Sequence, residues 1–218
     1  MGSTGIPAWR QAWAAPPFRT AFLGAVLAGS ALVAVLPRFF AWIGAKPGSR
    51  LHDPVLDRFG PMDVSGLTFG VLYAVLAVAI VSAARHPWRL LQGLYAYLLM
   101  VLLRMAAMAS FTLEPPDGII PLVDPVTQLF YPGAAPFLKD LFFSGHTATL
   151  VLMALLVPPG RVRWLAALGA ATVALLVLAQ HVHWTLDVVA AVPAAWAAWW
   201  AAGALLARWG LSASEEAA

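Results

Sequence analysis

Ser65-Gly-Leu-Thr-Phe-Gly-Val-Leu-Tyr-Ala-Val-Leu-Ala-Val-Ala-Ile-Val-Ser-Ala-Ala84 is a run of twenty residues without a single charge. A helix of that length rises about 30 Å, enough to cross the hydrocarbon of a bilayer, which takes about 20 mostly apolar residues. Working outward, five more apolar stretches lie at about 19–42, 89–113, 142–158, 162–182 and 185–208. The expectation is an all-α membrane protein, one six-transmembrane-helix bundle over residues 1–218. Its motifs fall between about 95 and 190.

Composition agrees. Hydrophobic residues make up 61% of the 218, charged residues only 11%, and mean hydropathy is +0.81. A soluble domain carries roughly a quarter charged residues to solvate its surface. The formal charge of +3 is small and scattered, so nucleic acid is not an expected partner. With no cysteine, disulfides and thiolate metal sites are excluded. Ala21–Leu36 resembles the apolar core of a signal peptide, which runs about 7–15 residues, but Pro37-Arg38-Phe39-Phe40 is not a small-residue cleavage site. The stretch is read as a retained span. Lys46-Pro47-Gly48, His86-Pro87, Pro115-Pro116-Asp117-Gly118 and Pro158-Pro159-Gly160 separate the spans, leaving two long loops at 43–64 and 114–141. Glycine, alanine and serine are abundant everywhere, so they mark no oligomer interface.

Basic residues accumulate on the cytoplasmic side of membrane proteins. With the N-terminus inside, Arg10, Arg19, Arg85, Arg89, Arg161, Arg163 and Arg208 are cytoplasmic. The opposite face collects Arg38, Lys46, Arg50, Arg58 and Lys139, along with Asp53, Asp57, Asp63, Glu114, Asp117, Asp124, Asp140 and Asp187.

Ionisable groups at or near spans are costly and point to function. Three places qualify: Lys139-Asp140-Leu141-Phe142-Phe143-Ser144-Gly145-His146-Thr147, His181-Val182-His183-Trp184-Thr185-Leu186-Asp187, and Arg104 within the third stretch. With six alternating spans the first two open on one face, so His146, His183 and Asp187 can converge. His183 and Asp187 are four apart, on one face if helical. A carboxylate on one imidazole nitrogen frees the other as nucleophile or base. Gly145-His146 opening a helix offers free N–H groups to a phosphate, and Ser144 and Thr147 add donors. The plainer reading of His146 is an interfacial polar residue. His181 and His183 as a metal pair are disfavoured, because positions two apart on a helix point to nearly opposite sides. His181 is instead assigned a structural part. Arg104 lies about two turns deep, which calls for an internal partner, and it is counted with the substrate-binding residues. Lone His52 and His86 are assigned nothing, and the Trp196, Trp199, Trp200 cluster suits a membrane interface.

Asp140-x-x-x-Ser144-Gly145-His146-Thr147 and His183-Trp184-Thr185-x-Asp187-Val188 together resemble the two signature motifs of the sphingomyelin synthase family, a branch of the type 2 phosphatidic acid phosphatase superfamily. Leu138-Lys139 stands where that family has Cys-Gly, and Trp184 where it has Tyr. A looser likeness runs from Tyr97-Leu98-Leu99 through Arg104 to Leu113-x-Pro115. The related phosphatases carry Lys-x6-Arg-Pro before the first motif and Ser-Arg six residues before the second histidine. Neither is present, and Val177 holds the latter place. The resemblance therefore implies the transferase branch, in a distant bacterial relative of the inner membrane with its site on the extracytoplasmic face.

It implies that His183, oriented by Asp187, attacks the phosphorus of a glycerophospholipid, and that His146 handles the proton at the lipid oxygen. The phospho-head group, of phosphocholine or phosphoethanolamine type, passes through a phosphohistidine to ceramide or diacylglycerol. Asp140 would orient His146 or the acceptor hydroxyl. Glu114 joins the substrate-binding set by its place on the same face. No metal or cofactor is needed, since two imidazoles do the work. Phe130 and Tyr131 of the outer loop would meet a cationic head group. The competing readings are a phospholipase C-type or lipid phosphate phosphatase hydrolase and a non-catalytic scaffold or transporter.

Overall fold

A computed structural model describes residues 6–124 and 137–211. The helices among them are α1 (Ile6–Ala14), α2 (Pro16–Ala45), α3 (Ser65–Ala83), α4 (Pro87–Ser110), α5 (Gly145–Leu156), α6 (Arg161–Ala179) and α7 (Thr185–Arg208), with a 3-10 turn at Leu56–Arg58. Among the described residues there is no strand, only a parallel bridge between Ser49 and Leu113. Five helices, α2, α3, α4, α6 and α7, are long and apolar enough to cross a membrane. Large apolar side chains such as Leu27, Val81, Leu175 and Trp200 are exposed, as lipid-facing positions would be.

The fourth expected span differs. Residues 142–158 hold a helix of only 12 residues, α5. It rises about 18 Å, well short of a bilayer's hydrocarbon. Both ends have local causes. Ser144 is the N-cap, its Oγ accepting from the Thr147 N–H at 3.3 Å. At the other end Pro158 disfavours helical geometry in Val157, the C-cap. α1 was not anticipated; Trp9 Nε1 donates to Ala84 O at 2.6 Å and ties it to the α3–α4 turn. α2 continues through Pro37 to 30 residues.

α5 is the centre of the bundle, packed on α3, α4, α6 and α7, while α4 and α7 run along each other. At one end of the bundle Arg89 of α4 and Arg163 of α6 converge on the C-terminus of α5. Arg89 Nη2 donates to Leu155 O at 2.8 Å and Nε to Leu156 O at 3.1 Å. Arg163 Nε donates to Val157 O at 2.8 Å. The carbonyls that a helix end leaves without partners are thus met by two guanidiniums.

The opposite end gathers the long loops. Met62 N–H donates to Ala179 O at 2.8 Å, Ser49 N–H to Thr112 O at 2.9 Å and Ser144 N–H to Asp187 O at 3.0 Å. Gln180, fully buried, clamps three segments. Its Oε1 accepts from Val64 N at 3.2 Å, and its Nε2 donates to Ser65 Oγ at 2.8 Å and Ile120 O at 3.1 Å.

α3 and α6 meet at Gly169, where a Cβ would run into the Val75 side chain. Gly169→Leu should therefore cost about 1–3 kcal/mol by overpacking. The check is a lowered midpoint of thermal unfolding in detergent, with the same substitution at Gly66 (nothing within 4 Å of its Cβ position) as the tolerant control.

Candidate active site

The two motif histidines meet at the loop end of the bundle. His146 stands in the first turn of α5 and His183 in the turn before α7, and their ring centroids are 6.0 Å apart at 64°. The ring of His146 also meets Phe69 of α3 edge-on at 6.1 Å. His183 is 3% exposed and Asp187 fully buried. His183 Nδ1 lies 3.4 Å from Asp187 Oδ2, which also accepts the Trp184 N–H at 3.1 Å. The pairing is made differently from the expected one. α7 begins at Thr185, so His183 precedes the helix rather than sharing a face with Asp187. The carboxylate at the third helical position reaches back over the N-cap residue Trp184 and holds both its backbone and the preceding imidazole. A buried carboxylate on Nδ1 fixes the tautomer with Nδ1–H toward Asp187, leaving the Nε2 lone pair for chemistry.

Arg104, 9% exposed, is the residue whose place differs most from expectation. Its Nε donates to Phe143 O at 2.8 Å and its Nη2 to Asp140 O at 3.1 Å, with Asp140 Oδ1 at 2.6 Å. It holds the entrance to α5 and is a positioning group. Asp140 pairs with that guanidinium. Gly145 lets this happen: a Cβ there would lie 2.9 Å from Arg104 Cζ. Ser144, fully buried, is used as the N-cap, whereas the buried Oγ1 of Thr147 and Nδ1 of His146 have no hydrogen-bond partner among the described residues.

Glu114 serves as a loop tie. Its Oε1 accepts from Lys139 Nζ at 2.6 Å and Gly48 N at 2.9 Å. The hydrogen bond from the Lys139 ammonium, then that from Gly48, holds its pKa below the usual carboxyl value. Its backbone O accepts from Trp184 Nε1 at 3.0 Å, so the tie braces the second motif. His181 Nδ1 lies 3.2 Å from Asp117 O, and its ring packs edge-on against Phe59. These contacts fit the structural part assigned to it. Phe130 and Tyr131 lie outside the described residues.

Residues 139–204 match the family model described as PAP2 superfamily C-terminal. No curated protein and no solved structure matches the chain. The PAP2 match covers both motifs and supports the type 2 phosphatidic acid phosphatase superfamily. It spans less than a third of the chain and does not single out a branch.

One positioning residue escaped the sequence reading. Asp53 reaches from the first long loop to the start of α7, its Oδ2 accepting Thr185 N at 2.7 Å and its Oδ1 accepting Thr185 Oγ1 at 3.0 Å. It also caps its own turn, accepting Val55 N at 3.0 Å and Leu56 N at 3.3 Å. No short-range pattern links positions 53 and 185; the local cue was an Asp ahead of the Leu56–Arg58 turn. Burial pulls the carboxyl pKa up, but the bonds from Thr185, Val55 and Leu56 outweigh it and hold the pKa below the ordinary 3.8.

Gly145→Ala should displace the guanidinium and lower stability by about 1–3 kcal/mol, read as a drop in unfolding midpoint that Arg104→Ala largely absorbs in the double variant. The folded-state pKa of Asp53 is depressed, so its stabilisation is present above the unfolded value near 3.8 and is lost as pH falls through the lower folded value. Asp53→Asn should remove that acid dependence. Unfolding midpoints of wild type and variant, measured against pH between neutrality and the acid limit, should converge as pH falls.

Proposed function

We propose that this protein is an enzyme acting on phosphorylated lipids, and that it moves a phospho-head group from a glycerophospholipid to a second lipid alcohol, ceramide or diacylglycerol. The observation that carries the reading is the buried His183–Asp187 pair with a second imidazole, His146, beside it. The PAP2 match supports lipid phosphate chemistry in general. The transferase form rests on the two motifs, which resemble those of the sphingomyelin synthases, and on Val177 standing where the phosphatases carry arginine.

The steps use only groups of this chain. Nε2 of His183 attacks phosphorus while the bond to the diacylglycerol oxygen breaks, and protonated His146 gives its proton to that oxygen. The carboxylate of Asp187 stabilises the charge that develops on the His183 imidazole. In the second half the acceptor hydroxyl gives its proton to His146 as its oxygen attacks the phosphorus. The phosphorus–nitrogen bond then breaks, restoring both histidines. The phosphate lies at the N-terminus of α5, where the helix dipole and the buried Arg104 are positive and Asp140 offsets one charge. In this reading the site faces the extracytoplasmic side, with the N-terminus in the cytoplasm.

His146→Ala and His183→Ala should each lower turnover by roughly 10²–10⁴-fold or more without changing the unfolding midpoint by a comparable measure. His86→Ala, at the opposite end, should leave turnover unchanged. The measurement is incubation of purified protein with head-group-labelled phospholipid, with and without ceramide or diacylglycerol. An acceptor-dependent labelled lipid is the expected product. Free phospho-head group formed without acceptor would replace the transferase with a phospholipase C-type hydrolase, and inorganic phosphate from phosphatidic acid with a phosphatase. Full activity in both histidine variants would end the reading.

A further inference from the structure

The shortness of α5 leaves a groove on the flank of the bundle. α6 and α7 scarcely touch each other, and both pack on α5, so the space between them is floored by the shorter helix. The resulting cavity of about 450 Å³ is walled by apolar side chains, with Ala167 and Ala174 of α6 facing Val188 and Val192 of α7. Its head is Thr147 and its foot is Arg163 with Trp164 and Trp196. The head lies directly beside the candidate active site in the chain: Thr147 follows His146, and Val188 follows Asp187.

We propose that this groove seats one acyl chain of the lipid substrate, with the chain's ester or amide carbonyl accepting from the Thr147 hydroxyl. The inference rests on the lipid reading of the site and adds where the substrate's tail lies and what limits its length. Three observations carry it. Thr147 is 1% exposed and its Oγ1 has no hydrogen-bond partner among the described residues, so the head of an otherwise apolar channel holds one unspent donor. A buried hydroxyl left without a partner is unfavourable, and a ligand carbonyl would relieve that. Secondly, the length fits. Thr147 to Leu155 on α5 and Val188 to Trp196 on α7 each span eight residues, about 12 Å, close to the ~15 Å of one leaflet's hydrocarbon. Thirdly, a charged group marks the foot. Arg163 is fixed there by Val157 O, and an apolar chain end would stop short of it.

The test compares dioctanoyl and dioleoyl phospholipid as substrates for wild type, Ala167→Phe and Val192→Phe. Ala167 lies toward the foot, so a phenyl ring there shortens the channel without touching the histidines. Long-chain turnover is expected to fall about tenfold or more in Ala167→Phe while short-chain turnover stays near wild type. A second readout needs no activity: dioleoyl phospholipid brominated along its chains should quench Trp164 and Trp196, scored as the difference from a Trp164→Phe, Trp196→Phe variant. Ala167→Phe or Val192→Phe should relieve that quenching. Relief of quenching in a protein that turns over no phospholipid would keep the groove as a lipid seat and discard the catalytic reading. Equal loss for both chain lengths, or quenching untouched by both variants, would overturn the proposal.

Discussion

A guanidinium buried among apolar helices must find acceptors on every side, because neither lipid nor a packed core supplies them. Arg104 finds them in the segment that leads into α5: the carbonyls of Asp140 and Phe143 and the carboxylate of Asp140. The same contacts solve the segment's own difficulty. Non-helical backbone at membrane depth survives only where protein satisfies its polar groups. Arg104 takes the carbonyls, Asp187 O takes the Ser144 N–H, and Ser144 Oγ takes the Thr147 N–H in the first turn of the helix. His146 is therefore placed by a chain of bonds that starts two turns inside α4.

The arrangement also explains why α5 is short and held from both ends. A guanidinium near a helix N-terminus is electrostatically unfavourable, since the helix dipole is already positive there. The C-terminus is the favourable place for arginine, and Arg89 and Arg163 occupy it. One end of α5 is thus relaxed. At the other, Arg104 and the helix dipole are set against the carboxylates of Asp140 and Asp187.

The spans were legible because bilayer thickness sets both length and polarity, and 65–84 or 185–208 leave no other reading. The meeting of His146 with His183 was legible too, since alternating spans bring the start of the fourth and the fifth-to-sixth junction to one face. At 142–158 hydropathy found the helix but overran its ends, because an apolar run does not distinguish helix from extended chain. Ser144 as a cap and Pro158 as a stop were the better guides to α5. The contact of His183 with Asp187 was foreseen for the wrong reason. Spacing of four suggested a shared helix face, whereas the carboxylate folds back across the helix start. Long-range ties escaped altogether. Nothing near Asp53 names Thr185, and nothing near Gln180 names Val64, Ser65 or Ile120.

Arg104 shows that residue type alone does not fix a role in such a site. A buried arginine next to Ser144-Gly145-His146 reads as a phosphate ligand, and its charge does reach the site. Its Nε and Nη2, however, are spent on the protein, and the glycine of Ser-Gly-His is what makes room for them. The glycine in that motif is thus required by the cation behind it. In the proposed reaction the first N–H groups of α5 and the two imidazoles are donors to the phosphate beside that cation. The reaction proposed for this site depends on holding two histidines and a helix start at fixed spacing. The loop ties through Asp53, Glu114 and Gln180 hold the supports of that spacing, which is why so many polar bonds gather at one end of an otherwise apolar bundle.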